Sequence, residues 1–105
     1  MTSPGPVINN EHKQRFELKL DGDTAFAAYR ISGDTIDFYS TVTPPAHRGR
    51  GVASALARAA LDEARERNLT VIPTCSFFEV YIKSHPEYLD LVSEQTRQRL
   101  SRDRP

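Results

Sequence analysis

The chain has 105 residues, enough for one domain, and its 38% apolar content supplies one modest core. Fourteen basic residues balance fourteen acidic ones, which argues against a nucleic-acid partner held by bulk positive charge. No apolar run approaches the roughly 20 residues that span a bilayer, "MTSPGPVINN" lacks signal-peptide regions, and the lone Cys75 permits no internal disulfide; the expectation is a soluble cytoplasmic domain away from membranes.

Residues 1–8, with two prolines and a glycine, read as a flexible lead-in. From Phe16 the chain alternates, with Phe16, Leu18 and Leu20 on one side and Glu17 and Lys19 on the other, as a half-buried strand does. "DGD" at 21–23 makes a turn. A second strand puts Ala25, Ala27, Tyr29 and Ile31 on one face, and "SGD" at 32–34 turns again. A third places Ile36, Phe38, Ser40 and Val42 on one face and Asp37, Tyr39, Thr41 and Thr43 on the other. Three strands with short connections predict an antiparallel meander.

Pro44 and Pro45 end the third strand, because proline donates nothing to a ladder. A helix follows to about Asn68, with Val52, Leu56, Ala59, Ala60 and Ala64 on one face and a Glu63–Arg67 pair at the favourable spacing. "LTVIP" is a short apolar run expected to be a strand buried on both sides. Strand, helix and strand in this order predict a parallel βαβ crossover. Ser76 and Glu79 form a capping box, so a second helix is expected from Phe77, with Phe78, Tyr81 and Ile82 on its buried face and Pro86 stopping it near Ser84. The domain is expected over residues 9–92, and 93–105 as a polar, arginine-rich tail, either a short surface helix or frayed. The class is α+β, a mixed sheet with C-terminal helices.

The loop "HRGRGVA" at 47–53 carries the chemistry. Glycines let a backbone approach a ligand closely, and the first N–H groups of the following helix lack partners. With the helix dipole they form an anion site, and Arg48 and Arg50 add guanidinium charge suited to phosphate oxygens. The loop is not a Walker A loop, since no Gly-Lys-Ser/Thr follows, nor a dinucleotide fingerprint, since three meander strands precede it. The plainer alternative is a glycine-rich turn with exposed arginines.

Arg48, Gly51 and Ala53 match the Arg/Gln-x-x-Gly-x-Gly/Ala motif of the Gcn5-related N-acetyltransferases. "TVTPPAHRGRGVASALARAALDEARERNLTVIPTCSFFEVYIKSHPEY" resembles a small single-domain branch of that family, and the resemblance covers about residues 12–92. It implies the acetyltransferase fold, acetyl-coenzyme A as donor, an amine acceptor and Cys75 as a catalytic thiol. It also implies that Val42, Thr43, His47, Arg48, Gly49, Arg50, Gly51, Val52 and Ala53 line the cofactor site, with a backbone N–H near Val42 polarising the acetyl carbonyl. The third strand and the "LTVIP" strand should then splay to admit the pantetheine. No metal is expected. Cys75 sits just before a helix start, where the dipole favours a thiolate; it is either a nucleophile or a wall of the slot. Members of the branch carry a histidine in a His-Thr-x-Val-Pro segment where this chain has Ser40, with Thr41 and Pro44 kept. A serine takes up no proton near neutral pH, so the base falls to Tyr39, Glu79 or a water, or activity is weak. His47 is expected to face solvent or phosphate, and His85 to cap or pack. The competing functions are a non-catalytic acyl-CoA binder and, on the arginine-rich tail, an interaction module. The short chain implies an open acceptor site.

Overall fold

The computed structural model describes residues 6–102, so residues 1–5 of the expected lead-in and 103–105 of the expected tail lie outside the described residues. Five strands form one sheet in chain order: β1 (Ile8–Asn10), β2 (Arg15–Leu20), β3 (Asp23–Ser32), β4 (Thr35–Val42) and β5 (Thr70–Ile72). β1 to β4 pair antiparallel. The two tight turns put Gly22 at φ 72° and Gly33 at φ 61°, the left-handed region that glycine enters without penalty. β5 pairs parallel with β4 over Thr35–Thr70, Ile36–Val71 and Asp37–Ile72. Helix α1 (Val52–Glu66) makes the crossover between them, followed by α2 (Ser76–Ser84), a 3₁₀ segment at Pro86–Leu91 and α3 (Glu94–Arg102). The fold is therefore α+β with the expected meander and crossover. Among the described residues no helix is long and apolar enough to cross a membrane.

The core lies on one face of the sheet. Phe16 and Leu18 of β2, Ala25, Ala27 and Tyr29 of β3, and Ile36 and Phe38 of β4 are buried there. Against them α1 sets Val52, Leu56, Ala57, Ala60, Leu61 and Ala64. Small side chains on β3 and α1 let the helix approach the sheet closely. Ala59, expected inside, is only half-buried at the edge of the stripe, and Ala57 and Leu61 take its place. From α2, Phe78 lies parallel to Phe38 with ring centroids 4.3 Å apart, and Tyr81 and Ile82 are buried beside it as expected. Asn68 adopts φ 56° and stops α1. Arg65 grips Asp90 at 2.6 and 3.0 Å and the Glu87 carbonyl at 2.7 Å, which straps the 3₁₀ segment to α1.

Several expectations are corrected. The last residue of the expected lead-in, Ile8, already belongs to strand β1; next to it Asn9 accepts from the Tyr29 hydroxyl and donates to Glu63, each at 2.7 Å, tying the edge strand to α1. Glu17 is not a solvated outward residue but 9% exposed, held by Arg15 and Asn10. β5 is buried on one side only, because the helices pack over just one face of the sheet; Val71 is covered while Thr70 and Ile72 are exposed. Of the two alternatives for the tail, the described residues 93–102 take the helix, α3, though it is not wholly a surface one. Ser93 caps α3 by accepting from the Thr96 N–H at 3.2 Å, and Leu100 is fully buried.

The most consequential correction is in β4. Tyr29 pairs with Phe38 but Ala28 pairs with Ser40, so Tyr39 is an extra residue, a β-bulge. Side-chain alternation slips by one after Phe38. Thr41, opposite Ala27, joins the core-side face, and Ser40 and Val42, opposite Ala28 and Phe26, turn to the other. That reverses the faces expected for these residues. The far face is dressed by two cation–π pairs, Arg15 over Phe26 and Arg30 over Tyr39, each 4.3 Å from the ring centroid.

Candidate functional site

β4 loses its β5 partner after Asp37, and the last contact of that segment is the Cys75 N–H donating to the Phe38 carbonyl at 2.8 Å. Beyond it the chain turns into α2, and residues 39–42 have no strand partner on that side. The opening thus lies between the end of β4 and the start of α2, rather than between two splayed strands. A cavity of about 480 Å³ fills it.

Its lining draws on the end of β4, the glycine loop and the first turn of α1. Of the expected cofactor residues, Val42, Thr43, His47, Arg48, Gly49, Gly51, Val52 and Ala53 all line it, and Thr41, Ser54 and Phe77 complete it. Arg50 does not; it is exposed. Gly49 and Gly51 adopt φ 78° and 76°, and Gly51 is the N-cap of α1. A β-carbon on Gly51 would meet no atom within 4 Å, so the need for glycine is conformational, and the space beside it is left open. The first residue of α1 to donate back is Ala55, to Gly51 at 3.0 Å. The N–H groups of Val52, Ala53 and Ser54 are therefore without intrahelical partners at the cavity wall. No acidic residue stands in that first turn. Arg48 is folded back by its Nε donating to the Thr43 carbonyl at 3.3 Å. His47 is neither solvated nor free: its Nε2 lies 3.3 Å from Asp23 at the start of β3, which anchors the loop to the β2–β3 turn.

Cys75 does not line the cavity and meets its wall only through Thr41; it is the N-cap of α2, with φ −68° and ψ 127°, and its carbonyl accepts the first helical bond from Glu79 at 3.1 Å. The expected Ser76 capping box is absent: α2 starts at Ser76, no side chain caps it, and Glu79 pairs with Arg99 of α3 at 3.1 Å. The Cys75 thiol is half-buried and shares a hydrogen bond of 3.3 Å with the Thr41 hydroxyl. Ser40 is on the opposite face of the sheet. Neither Tyr39, which lies under Arg30, nor Glu79, which is turned to α3, hydrogen-bonds the thiol. His85 lies at the far end of α2, stacked on Tyr81 at 3.9 Å.

Sequence reasoning passed over three wall residues. Ser54 was readable by counting one turn from Gly51. Thr41 needed the bulge, and Phe77 needed the start of α2, neither of which has a local signature.

A mixed sheet with a bulged fourth strand, a glycine loop at the mouth of the crossover helix and a cavity between them defines a class, and the comparison with known proteins agrees. The chain belongs to the GCN5-related N-acetyl-transferases, whose family model matches residues 15–91. It is similar to proteins named Protein NATD1. That of Mus musculus is 39% identical over 93 residues, covering 82% of this chain and 84% of the relative. That of Xenopus tropicalis is 37% identical over 95 residues, covering 83% and 87%, and that of Homo sapiens 37% over 92 residues, covering 83% and 81%.

Proposed function

We propose that this chain is an acetyl-CoA-dependent N-acetyltransferase that transfers an acetyl group to an amine. The observation that carries the reading is the continuity of one cavity, from Thr41 beside the Cys75 thiol to the unpaired N–H groups of Val52, Ala53 and Ser54. A ligand with an anionic end and a reactive acyl end fits such a slot. The diphosphate would sit on the glycine loop with Arg48, where helix N–H groups and a guanidinium favour negative charge. The acyl end would then reach the β4 bulge.

In the covalent route the Cys75 sulfur, as thiolate, attacks the acetyl carbonyl. The carbon–sulfur bond to CoA breaks, and CoA leaves as a thiol after taking a proton. An amine next attacks the acetyl-cysteine, an amide forms, the amine gives up a proton and the Cys75 sulfur is released. In direct transfer the amine attacks the bound thioester and Cys75 is a wall. The open cavity accommodates a small amine or a peptide.

A second reading is a non-catalytic CoA binder. It is favoured by the surroundings of the thiol, whose only side-chain hydrogen-bond partner among the described residues is Thr41, neither a histidine nor a carboxylate. The separating experiment is release of CoA thiol from acetyl-CoA with a panel of amines. Turnover supports the enzyme. Tight CoA binding with no amine-dependent release supports the binder.

A further inference from the structure

The sheet has a second face that none of the described elements covers. The core and all the helices lie on the other side, and the molecule is only 19 Å through against 40 and 33 Å across, the depth of one sheet and one layer of helices. Four of the five exposed large apolar side chains among the described residues, Ile8, Tyr39, Val42 and Ile72, stand on this bare face, a concentration that marks a contact surface. We propose that a second copy of this chain docks there, sheet on sheet, about a two-fold axis that runs along the strands between β3 and β4. The inference is independent of the acyl donor.

The charges of the face select the occupant. Arg15 and Glu17 neutralise each other, and Lys19 lies two residues beyond Glu17, towards the end of β2. That leaves Arg30 and Asp37, direct cross-strand neighbours on β3 and β4. They do not pair with each other. Arg30 lies over the Tyr39 ring, and neither residue has an ion pair among the described residues. One Asp37 oxygen, Oδ1, is enclosed with no donor, an arrangement that costs stability until a donor arrives. A basic partner would suit Asp37 and oppose Arg30, and an acidic partner would do the reverse. A surface with one unpaired acid beside one unpaired base is complementary to itself, as a two-fold contact requires. The proposed axis exchanges β3 with β4, so each member of a cross-strand pair meets the other copy's version of its neighbour. Arg30 then faces the partner subunit's Asp37, whose carboxylate turns about its Cβ–Cγ bond to take the guanidinium. Phe26 faces the partner subunit's Val42, and Ala28 the partner subunit's Ser40. Base meets acid, apolar meets apolar and small meets small, which lets two sheets close to about 10 Å. Four overlapping strands about 4.8 Å apart give a contact at the lower end of specific interfaces, roughly 1,000 Å² in total, the size of a dimer in exchange with monomer. Val42 also lines the cavity of the candidate site, so the interface extends to its wall.

The test is sedimentation equilibrium of the full chain from micromolar to millimolar concentration. The mass is expected to rise from 11.8 kDa towards about twice that value. Arg30→Asp sets acid against acid across the axis, and Asp37→Arg sets base against base, so each variant alone should stay monomeric. An equimolar mixture of the two should dimerise, because both contacts of the mixed pair join an acid to a base. In the parent, isotope-filtered spectra of a mixed labelled and unlabelled sample should place the Phe26 ring of one copy against the Val42 methyl groups of the other. That measurement needs no variant and decides the matter if Asp37→Arg does not fold. A parent that stays monomeric at every concentration overturns the proposal. So do single variants that dimerise like the parent, a mixture of folded variants that stays monomeric, or a dimer without the cross-copy contact of Phe26 and Val42.

Discussion

The Thr41 hydroxyl and the Cys75 thiol, 34 residues apart in the chain, lie 3.3 Å from each other. The bulge at Tyr39 makes this contact by turning Thr41 to the side of the sheet that α2 covers. If the acetyl-cysteine route operates, incubation with acetyl-CoA should add one acetyl group to the protein, read by intact mass. Cys75→Ala should abolish the adduct. Thr41→Val keeps the shape but removes the partner of the thiol; it should cost about 0.5–1.5 kcal/mol of stability and slow formation of the adduct without removing it. Equal transfer rates in Cys75→Ala and the parent would show that the amine attacks the thioester directly.

The glycine loop makes a prediction with two separable parts. Arg48→Ala should weaken CoA binding by roughly 1–3 kcal/mol, the scale of a charge-assisted hydrogen bond, with little change in thermal stability. Gly51→Ala should cost about 1–2 kcal/mol of stability, because a β-carbon is unfavourable at φ 76°. Gly51→Val should weaken binding more than Arg48→Ala, since its branched side chain extends into space that is open in the free protein. Undiminished CoA affinity in both loop variants would remove the ligand from this cavity.

Leu100 is fully buried although it sits in a helix that is otherwise polar. Leu100→Ala should destabilise the domain by about 2–5 kcal/mol, a large share of the roughly 5–15 kcal/mol available to a domain of this kind. Ending the chain after Val92 should be at least as damaging, as it also removes the Arg99 partner of Glu79. Urea titrations of the two variants against the parent check this. Parent-like midpoints would mean that α3 is dispensable.

Burial, together with the hydrogen bond to Asp62, raises Tyr88 to about 12. A tyrosine whose folded value exceeds the ordinary 10 stabilises the fold fully below pH 10. That contribution is lost as pH rises from 10 towards 12. Tyr88→Phe gives up the 2.7 Å bond to Asp62 and should cost about 1 kcal/mol at neutral pH. The stability curves of variant and parent should converge between pH 10 and 12. Tyr29 and Tyr81, also raised by burial, titrate in both proteins and cancel in the difference. Parallel curves across that range would mean that Tyr88 ionises without cost to the fold.

Much of this architecture was legible from residues acting on their near neighbours. Alternation in 16–42 with glycines at turn positions specified the meander, and the four-residue spacing from Val52 to Ala64 specified α1. Gly49 and Gly51 beside a helix start marked one wall of the cavity. Each signal works within a few residues, through backbone sterics or one helical turn. The inner end was decided elsewhere. Strand alternation alone put Ser40 where Thr41 is, because a bulge arises from the mismatch between two paired strands and leaves no mark on one of them. Ser76 and Glu79 satisfied a capping pattern, yet α2 is capped by Cys75, because the Cys75 N–H is bound to Phe38 and Glu79 is drawn to Arg99. Leu100 looked like one apolar residue in a charged tail, and only the groove beside α2 made it core. Periodicity and turn chemistry are local, so the chain alone determined its elements and its glycine loop. Which side of the sheet meets Cys75 depends on partners far away in sequence, and only the tertiary structure decided it.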